Sequence, residues 1–366
     1  MTDGPTGALR RTALYDLHVA AGAKMVPFAG WEMPLNYGSQ IVEHNAVRTA
    51  VGMFDVSHMT VVDVTGAGAH GYLQRLVAND VARLKTHGKA LYGVLLNEAA
   101  GVIDDLIVYR HSEAEPLAYR VVVNAGTRDK VLAWFERHAG AEVQVREQDL
   151  AMIAVQGPEA VARFEAVSGW QDLTALEPFS ALSRGDWMVA RTGYTGEDGV
   201  EVILPGAEAQ KLWSALAAAG VQPAGLAARD TLRLEAGLNL YGQDMDESTN
   251  PLESNLGWTI AWQPEARAFI GRDALAALRA AGVGRRLTGL VLEGRGVIRG
   301  GQRVVTGAGD GVVTSGIFSP TLGYSIALAR VPKDAQGECQ VEVRGKLLPV
   351  RIVKPPFVRN GQKVFE

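Results

Sequence analysis

The spacing of apolar side chains changes along the chain between a period of two and a helical period, which predicts mixed strands and helices. From Thr60 to Val77 the pattern gives a strand, a glycine turn and an amphipathic helix, and a hairpin, a strand and a further helix continue to Ala139. A similar order of strand, turn, helix, hairpin and helix runs from Met152 to Ala219. We therefore expect an α+β fold that contains two structurally related units.

The last part of the chain has a different pattern. Short alternating segments separated by glycines fill residues 283–366, which predicts a small all-β barrel or sandwich. A helix over Leu226–Leu238, a polar loop over Tyr241–Asn250 and a helical link over Asp273–Ala281 precede it, and the simplest interpretation of the loop is a solvated one. The predicted division is 1–55 with 145–255 for one α+β unit, 56–144 for the other, 256–282 for the link and 283–366 for the barrel.

Composition narrows the class of protein. With 366 residues and 47% apolar side chains, the chain is expected to bury a large core. Its net charge of -4 gives it no overall positive charge that would attract nucleic acid or an acidic membrane surface. No apolar run reaches the roughly 18 residues of a membrane span, and residues 1–11 lack the apolar centre of a signal peptide, so we expect a cytoplasmic protein. The single cysteine, Cys339, lies in an alternating segment and is expected to be a buried thiol; no Cys/His spacing indicates a metal site.

A glycine-rich segment, Gly66–Gly71, matches the G-x-G-x-x-G pattern of dinucleotide-binding folds between a predicted strand and a predicted helix. Such a fold needs a second, parallel strand soon after the helix, with an acidic residue at its end. Here a basic loop and an antiparallel hairpin follow instead. A tight turn is the better interpretation, and an NAD-dependent dehydrogenase ranks last among the functions considered.

Acidic side chains inside predicted strands are the strongest candidates for chemistry. Asp104 and Asp105 stand next to each other in an apolar strand, so they point to opposite faces and at least one faces the packed side. An inward carboxylate is costly unless it is paired or serves chemistry; an edge strand with both acids in solvent is the alternative. Glu201 lies just inside a returning hairpin strand, where alternation alone would put it in solvent, but its place corresponds to that of Asp104 in the related unit.

Two further sets of residues are less specific. His58 follows Asp55 and precedes Met59; if the strand continued through this segment, His58 would face away from both neighbours, which favours an orienting role over nucleophilic catalysis. Arg229 and Arg233 are four residues apart on a predicted helix, a spacing that suits a carboxylate or phosphate clamp or, equally, a charge network within the helix.

Several segments of the sequence carry a family pattern: Pro27–Pro34, Gly52–Met59, Gly101–Leu106, Gly193–Gly199, Ala227–Gly237, and Thr314–Gly316 with Ser319–Pro320. In these segments the chain resembles the glycine cleavage T-protein family. The matches run in order from about residue 12 to residue 360, without a large insertion. The resemblance implies a three-domain cloverleaf, with two related α+β units around a central folate channel and a C-terminal barrel-like domain.

The same resemblance implies an aminomethyltransferase that uses tetrahydrofolate as co-substrate and no metal. It implies a site formed by Met59, Tyr92, Asp104, Tyr194, Glu201, Arg229 and Arg233. In this site Asp104 would contact folate near N10 and support catalysis, which leaves Asp105 the less suitable acid. Glu201 would bind the pterin ring and Arg229 would bind folate. Arg233 is expected only to lie next to Arg229.

The substrate implied by the resemblance is an aminomethyl group on the lipoyl arm of the H-protein, a transient partner, with the P- and L-proteins in the same system. The expected products are 5,10-methylenetetrahydrofolate, ammonia and the reduced arm. Three alternatives share the fold: folate domains of sarcosine and dimethylglycine dehydrogenases, a sulfonium demethylase, and a non-enzymatic folate-binding protein of iron–sulfur assembly. The sequence has no flavin-domain pattern, and Cys339 lies outside any cysteine motif of the last class.

Overall fold

The computed structural model describes residues 8–366, so the expectation for the first residues of the chain lies partly outside the described part. The chain forms two units. The first contains the described residues through His70, together with Leu84–Leu91 and Ile107–Asp230, and the second contains Gly71–Arg83, Tyr92–Leu106 and Thr231–Glu366. The predicted domain boundaries differ from these units and remain a prediction.

Helices and strands alternate along most of the chain. The helices are α1 (Tyr15–Ala20), α2 (Gln40–Thr49), α3 (Ala69–Leu76), α4 (Arg128–His138), α5 (Ala160–Ser168), α6 (Gly206–Ala218), α7 (Leu226–Glu235) and α8 (Arg272–Ala281). The strands before residue 230 are β1 (Lys24–Phe28), β2 (Trp31–Asn36), β3 (Gly52–Asp55), β4 (Thr60–Thr65), β5 (Ala90–Leu96), β6 (Val102–Arg110), β7 (Tyr119–Val123), β8 (Gln144–Gln148), β9 (Ala151–Gln156), β10 (Ala181–Arg184), β11 (Trp187–Ala190), β12 (Gly199–Leu204) and β13 (Gln222–Pro223). The later strands are β14 (Arg285–Leu292), β15 (Arg303–Thr306), β16 (Gly309–Phe318), β17 (Ser325–Pro332), β18 (Glu338–Val343), β19 (Lys346–Val353), β20 (Val358–Arg359) and β21 (Gln362–Lys363).

A six-stranded sheet in the first unit has the order β10-β11-β12-β9-β3-β13. One face of this sheet packs on α5 and α6, and the shared core includes Ile153, Val200, Val202, Phe164 and Leu212. Both faces of β12 are buried, because every residue of that strand is shielded from solvent. Residues of β12 that point away from the helices are therefore buried as well.

A five-stranded sheet has the order β5-β6-β7-β4-β8. Its strand β4 lies between β7 and β8, and both neighbours are antiparallel to it. The glycine segment that follows β4 makes a close turn: Gly66 has a φ of +105°, and a Cβ there would lie 2.2 Å from the carbonyl oxygen of Glu142. The antiparallel neighbours confirm that this segment is a turn and not a dinucleotide-binding motif.

The C-terminal strands form a closed barrel in the order β14-β17-β16-β15-β18-β19, as the sequence predicts. Its interior is lined by side chains such as Leu290, Val304 and Val341. Alternate residues of the same strands, among them Val291, pack outside with Leu234 of α7. Cys339 is buried in the interior, and burial raises its pKa to about 11.

A buried ion pair joins α7 to the barrel within the second unit. Arg233 donates from Nη1 to Asp244 Oδ2 at 2.8 Å and from Nη2 to Ser315 Oγ at 2.9 Å. Asp244 also accepts from the backbone N–H of Leu240 at 2.9 Å and from the hydroxyl of Thr314. Neither charged side chain is more than 2% exposed, so each charge depends on the other and on these hydrogen bonds.

We expect Asp244→Asn to lower the free energy of unfolding by about 3 kcal/mol, because the Arg233 charge would stay buried without its counter-ion. The measurement is the thermal unfolding temperature of both proteins. The matched control is Arg303→Gln in the barrel. Arg303 and its partner Asp310 are exposed and its other partner, Glu342, is partly exposed, so loss of these ion pairs should leave the unfolding temperature nearly unchanged. Equal effects of the two variants would contradict a stabilising role for the buried pair.

No helix among residues 8–366 has the length and apolar character needed to cross a membrane.

Candidate functional site

Glu201 is a buried carboxyl group in the first unit. It is 5% exposed and lies on β12, between Val200 and Val202, which face the helices. Glu201 therefore points to the opposite face of the six-stranded sheet. Alternation predicted a solvent-exposed side chain, but the second face of the strand is covered as well, so that part of the expectation is wrong.

Two hydroxyl groups surround the Glu201 carboxyl group. Thr192 donates from Oγ1 to Glu201 Oε2 at 2.6 Å, and Tyr109 Oη lies 3.4 Å from Thr192 Oγ1. Since the hydroxyl proton of Thr192 is used toward Glu201, Tyr109 is the donor of the second bond. Burial raises the pKa of Glu201, while the Thr192 bond and the charge of Arg229 oppose the rise.

Arg229 lies beside this carboxyl group. Its guanidinium carbon is 4.6 Å from the centre of the Tyr194 ring, in a cation–π arrangement. Burial lowers the pKa of Arg229, and the neighbouring Glu201 and Tyr194 act in the opposite direction. The structure thus brings together three of the predicted residues, an acid, an arginine and an aromatic ring, and this set can bind a flat ligand that carries hydrogen-bond donors.

The loop that carries Tyr194 is held by a second buried arginine. Arg48, from the last turn of α2, donates from Nη1 to the carbonyl oxygen of Thr195 at 2.6 Å and to Glu197 Oε1 at 2.7 Å. Both side chains of this ion pair are 3% exposed. The side chain of Gln156 is bonded to the same loop, from Nε2 to Thr192 O at 3.1 Å and through Oε1 from the Thr195 hydroxyl at 2.9 Å. The loop is therefore a fixed support for the Tyr194 ring.

His58 and Met59 lie in a turn between β3 and β4. The strand ends at Asp55, so the expectation that residues 55–59 alternate along one strand is wrong. His58 is 5% exposed and stands edge-on to Phe28, with 5.5 Å between ring centres. Burial lowers its pKa to about 4, with a further contribution from Arg229 and an opposing one from Asp55. Its buried Nδ1 has no hydrogen-bond partner among the described residues; Met59 is half-buried.

Asp55 fixes this turn. Its Oδ1 accepts from the backbone N–H of Ser57 at 2.9 Å, and its Oδ2 accepts from the Thr12 hydroxyl at 2.6 Å and lies 2.9 Å from His18 Nε2. Burial alone would raise the pKa of Asp55, but the bond and charge of His18, with the bonds from Ser57 and Thr12, lower it. Asp55 is therefore a structural anchor for the turn that presents His58.

Asp104 belongs to the second unit and is fully buried on β6. Asp105, on the opposite face of the strand, is half-buried, so the prediction that at least one of the two acids faces the packed side is confirmed. Tyr92, also in this unit, donates from its hydroxyl to Asp105 Oδ2 at 2.9 Å. Its ring stacks on Trp258, with 5.7 Å between ring centres and 19° between planes. Tyr92 and Asp105 are thus coupled, and Asp104 faces the other way.

Arg233 does not act with Arg229 as a clamp. Its guanidinium is 1% exposed and bonded to Asp244, Ser315 and the carbonyl oxygen of Leu238. Helix α7 confirms the predicted spacing, but the two arginines have different partners. Arg233 has a structural role, and we do not include it among the ligand-binding residues proposed below.

Sequence patterns did not identify the residues that support the site. These are Thr192 and Tyr109 beside Glu201, Arg48 and Gln156 behind Tyr194, and His18 and Thr12 around Asp55. Each bonds to a partner at least nine residues away in the sequence, so no local spacing reveals the contact. Among residues 8–366, no three His, Cys, Asp or Glu side chains are grouped so that they could hold a metal ion.

Comparison with known protein families gives two adjacent matches. Residues 14–264 match the GCVT N-terminal domain, and residues 285–359 match the Glycine cleavage T-protein C-terminal barrel domain. Together the matches include every candidate residue described above.

Several relatives are similar to this chain over nearly its whole length. The aminomethyltransferase of Chromobacterium violaceum is 57% identical over 98% of this chain and 99% of its own length, and that of Nitrosococcus oceani is 57% identical over 96% of each. The crystal structure of glycine cleavage system aminomethyltransferase T from Bartonella henselae superposes with a TM-score of 0.90 at 38% identity, over 98% of this chain and 100% of that one. These similarities confirm the α+β fold and the expected activity.

The lowered pKa of His58 predicts a pH effect on stability. Between pH 6.5, the ordinary value, and about pH 4, the unfolded chain binds a proton at His58 that the folded protein does not. The contribution of His58 to the free energy of unfolding is therefore fully present above pH 6.5. It falls by about 3 kcal/mol as the pH drops to 4. His58→Phe keeps a ring against Phe28 and should flatten the dependence of unfolding temperature on pH in this window. An unchanged slope would show that His58 protonates equally well in both states.

Replacement of Arg48 tests the support of the Tyr194 loop. Arg48→Lys keeps the charge, but the lysine nitrogen lies one bond closer to the backbone than Nη1 and does not reach both acceptors, so we expect about tenfold weaker tetrahydrofolate binding, or 1.4 kcal/mol, by calorimetry. The control is Arg163→Lys on α5, a partly exposed arginine that also donates to one carbonyl oxygen and one carboxylate. If both variants bind tetrahydrofolate like the parent, the loop does not depend on Arg48.

Proposed function

Because this chain belongs to the glycine cleavage T-protein family and is an aminomethyltransferase, we propose that it moves the one-carbon unit from the lipoyl arm of an H-protein to tetrahydrofolate. The observation that supports the catalytic assignment is Asp104, a fully buried acid in an apolar strand. A carboxylate in such a place costs free energy unless it is paired or needed for chemistry.

The transfer needs neither an oxidant nor a nucleophilic side chain. The carbon–sulfur and carbon–nitrogen bonds of the S-aminomethyl group break, and the carbon forms bonds to N5 and N10 of tetrahydrofolate. The two protons from N5 and N10 go to the sulfur and to the departing amine, which gives a lipoyl thiol, ammonia and 5,10-methylenetetrahydrofolate. The enzyme has to orient the reactants and stabilise the positive charge that develops on the carbon.

Asp104 is the residue we assign to that charge. A buried carboxylate interacts strongly with a cation because little water screens it. It can also accept a hydrogen bond from N10 and so orient the nucleophile. Asp105 is only half-buried, so water screens its charge more, and it is the weaker candidate for this role.

Glu201, Arg229, Tyr194 and His58 fit the folate ring system. The Glu201 carboxylate can accept paired hydrogen bonds from the N–H edge of a pterin, and the Arg229–Tyr194 pair offers a charged, flat surface next to it. The buried Nδ1 of His58, neutral at physiological pH, is a polar atom that a bound ligand could satisfy. Met59 and Tyr92 complete the proposed contacts as half-buried apolar and aromatic groups.

The proposed partner is lipoylated H-protein, bound transiently, since the aminomethyl group has to arrive on a carrier and leave a free arm. The P- and L-proteins would act on the same carrier before and after this step. We also propose a cytoplasmic location, because the product arm is a dithiol and thiols persist in reducing compartments.

Asp104→Asn is the direct test of the catalytic assignment. The substitution keeps the shape and removes the charge, so we expect kcat to fall at least about 100-fold. Ammonia release and 5,10-methylenetetrahydrofolate formation would be measured with aminomethylated H-protein, with and without tetrahydrofolate. Asp105→Asn, the adjacent control, should lose far less activity.

Two outcomes would count against the proposal. Near-normal turnover by Asp104→Asn would remove Asp104 from the chemistry. Absence of turnover by the parent protein, despite tight tetrahydrofolate binding, would favour a demethylase or a non-enzymatic folate-binding protein of the same fold.

A further inference from the structure

The segment Tyr241–Asn250 holds the beginning of the strand that carries Asp104. The backbone N–H of Val102 donates to the carbonyl oxygens of Asp246 at 3.2 Å and Thr249 at 3.0 Å. The hydroxyl of Tyr241 donates to the carbonyl oxygen of Val102 at 3.0 Å. Both backbone polar groups of Val102, two residues before Asp104, are therefore bonded to one loop.

The contact between this loop and the strand is close. A Cβ at Gly101 would lie 1.9 Å from the carbonyl oxygen of Glu247 and 2.7 Å from Asn97 Nδ2. Real side chains do not approach this closely, so glycine is required where the loop crosses the strand. A displacement of the loop would be passed directly to the first residues of β6.

The loop is itself fixed at its other end. Within it, Thr249 Oγ1 accepts from the backbone N–H of Asp246 at 2.9 Å. Asp244, fully buried in the same loop, pairs with Arg233 and Ser315, and its carbonyl oxygen accepts from Arg330 Nη2 at 2.7 Å. The prediction of a solvated loop holds only for its exposed residues Gly242, Gln243, Glu247 and Ser248, because Asp244 and Met245 are buried and the loop connects the barrel to β6 through polar contacts.

We propose that Tyr241 is a positioning residue for the transfer reaction, which fixes the Asp104 carboxylate through the backbone of Val102. The proposal rests on the catalytic role assigned to Asp104 above. A shift of about 1 Å in a reacting group can cost up to roughly 100-fold in rate, so a single hydrogen bond that sets the position of the strand affects catalysis without contact to the substrate. Glu201 and Arg229, which we propose bind the substrate, belong to the first unit, so we expect binding to be retained when this bond is lost.

Tyr241→Phe removes the hydroxyl and keeps the ring, which packs against the core that contains Met245 and Leu256. We expect kcat to fall about tenfold and KM for tetrahydrofolate to stay within about twofold. Tyr119→Phe is the matched control: this tyrosine lies on β7 of the same sheet, and its hydroxyl is bonded to His70 at 2.7 Å. The control should keep the parent kcat.

A double-mutant cycle separates positioning from general destabilisation. If Tyr241 acts through the Asp104 carboxylate, Tyr241→Phe should have little effect on the residual kcat of Asp104→Asn. An equal loss of kcat in both backgrounds, or a loss shared by Tyr119→Phe, would overturn the proposal. Gly101→Ala, which forces the loop from the strand, should lower kcat in the same selective way.

The cycle also distinguishes the two proposals. If Asp104→Asn alone retains near-normal turnover, the catalytic assignment fails, and the positioning role fails with it. If Asp104→Asn loses activity but Tyr241→Phe does not, only the positioning role is overturned. Unfolding temperatures of all variants show whether a lost rate reflects lost folded protein.

Discussion

The buried carboxylate of Asp244 is the constraint on which the second unit depends. A charge removed from water has to be paired and hydrogen-bonded, and the donors available to Asp244 come from α7, from strand β16 and from its own loop. One acid therefore specifies how a helix, a barrel and an irregular segment are arranged. Apolar contacts such as that of Leu234 with Val291 add stability, but they are less directional and could be satisfied by several arrangements.

The first unit uses the same principle twice. Arg48 and Glu197 form a buried pair that shapes the loop before β12, and Asp55 with His18 shapes the turn after β3. In both places a buried, hydrogen-bonded carboxylate lies behind a segment that presents candidate ligand-binding groups. Among the candidate ligand-binding groups, by contrast, the Nδ1 of His58 has no partner among the described residues, and burial raises the pKa of Glu201 although Thr192 donates to it. Supporting charges are satisfied by the protein, and the site's polar atoms remain suited to a ligand.

Local patterns predicted most elements, since the expected order of strand, helix, hairpin, strand and helix between Thr60 and Ala139 is the order observed. The sequence also predicted that at least one of Asp104 and Asp105 faces the packed side, because adjacent residues of a strand point to opposite faces; the structure shows that the buried one is Asp104. The burial of Glu201 was not predictable, because alternation along one strand does not show that both faces of its sheet are covered. The partners of Arg233 and Asp55 lie up to 82 residues away, and only the tertiary fold brings them together. The family resemblance, carried by whole segments, supplied the activity that spacing could not.

Cys339 has a consequence for the chemistry of the arm. The proposed product carries two thiols, and a protein thiolate close to it could exchange with any lipoyl disulfide and trap the carrier as a mixed disulfide. The chain contains one cysteine, enclosed in the barrel, and its pKa of about 11 keeps it almost wholly protonated at neutral pH. The proposed dithiol carrier would therefore meet no reactive thiolate at this cysteine, and repeated turnover would not trap it as a mixed disulfide there.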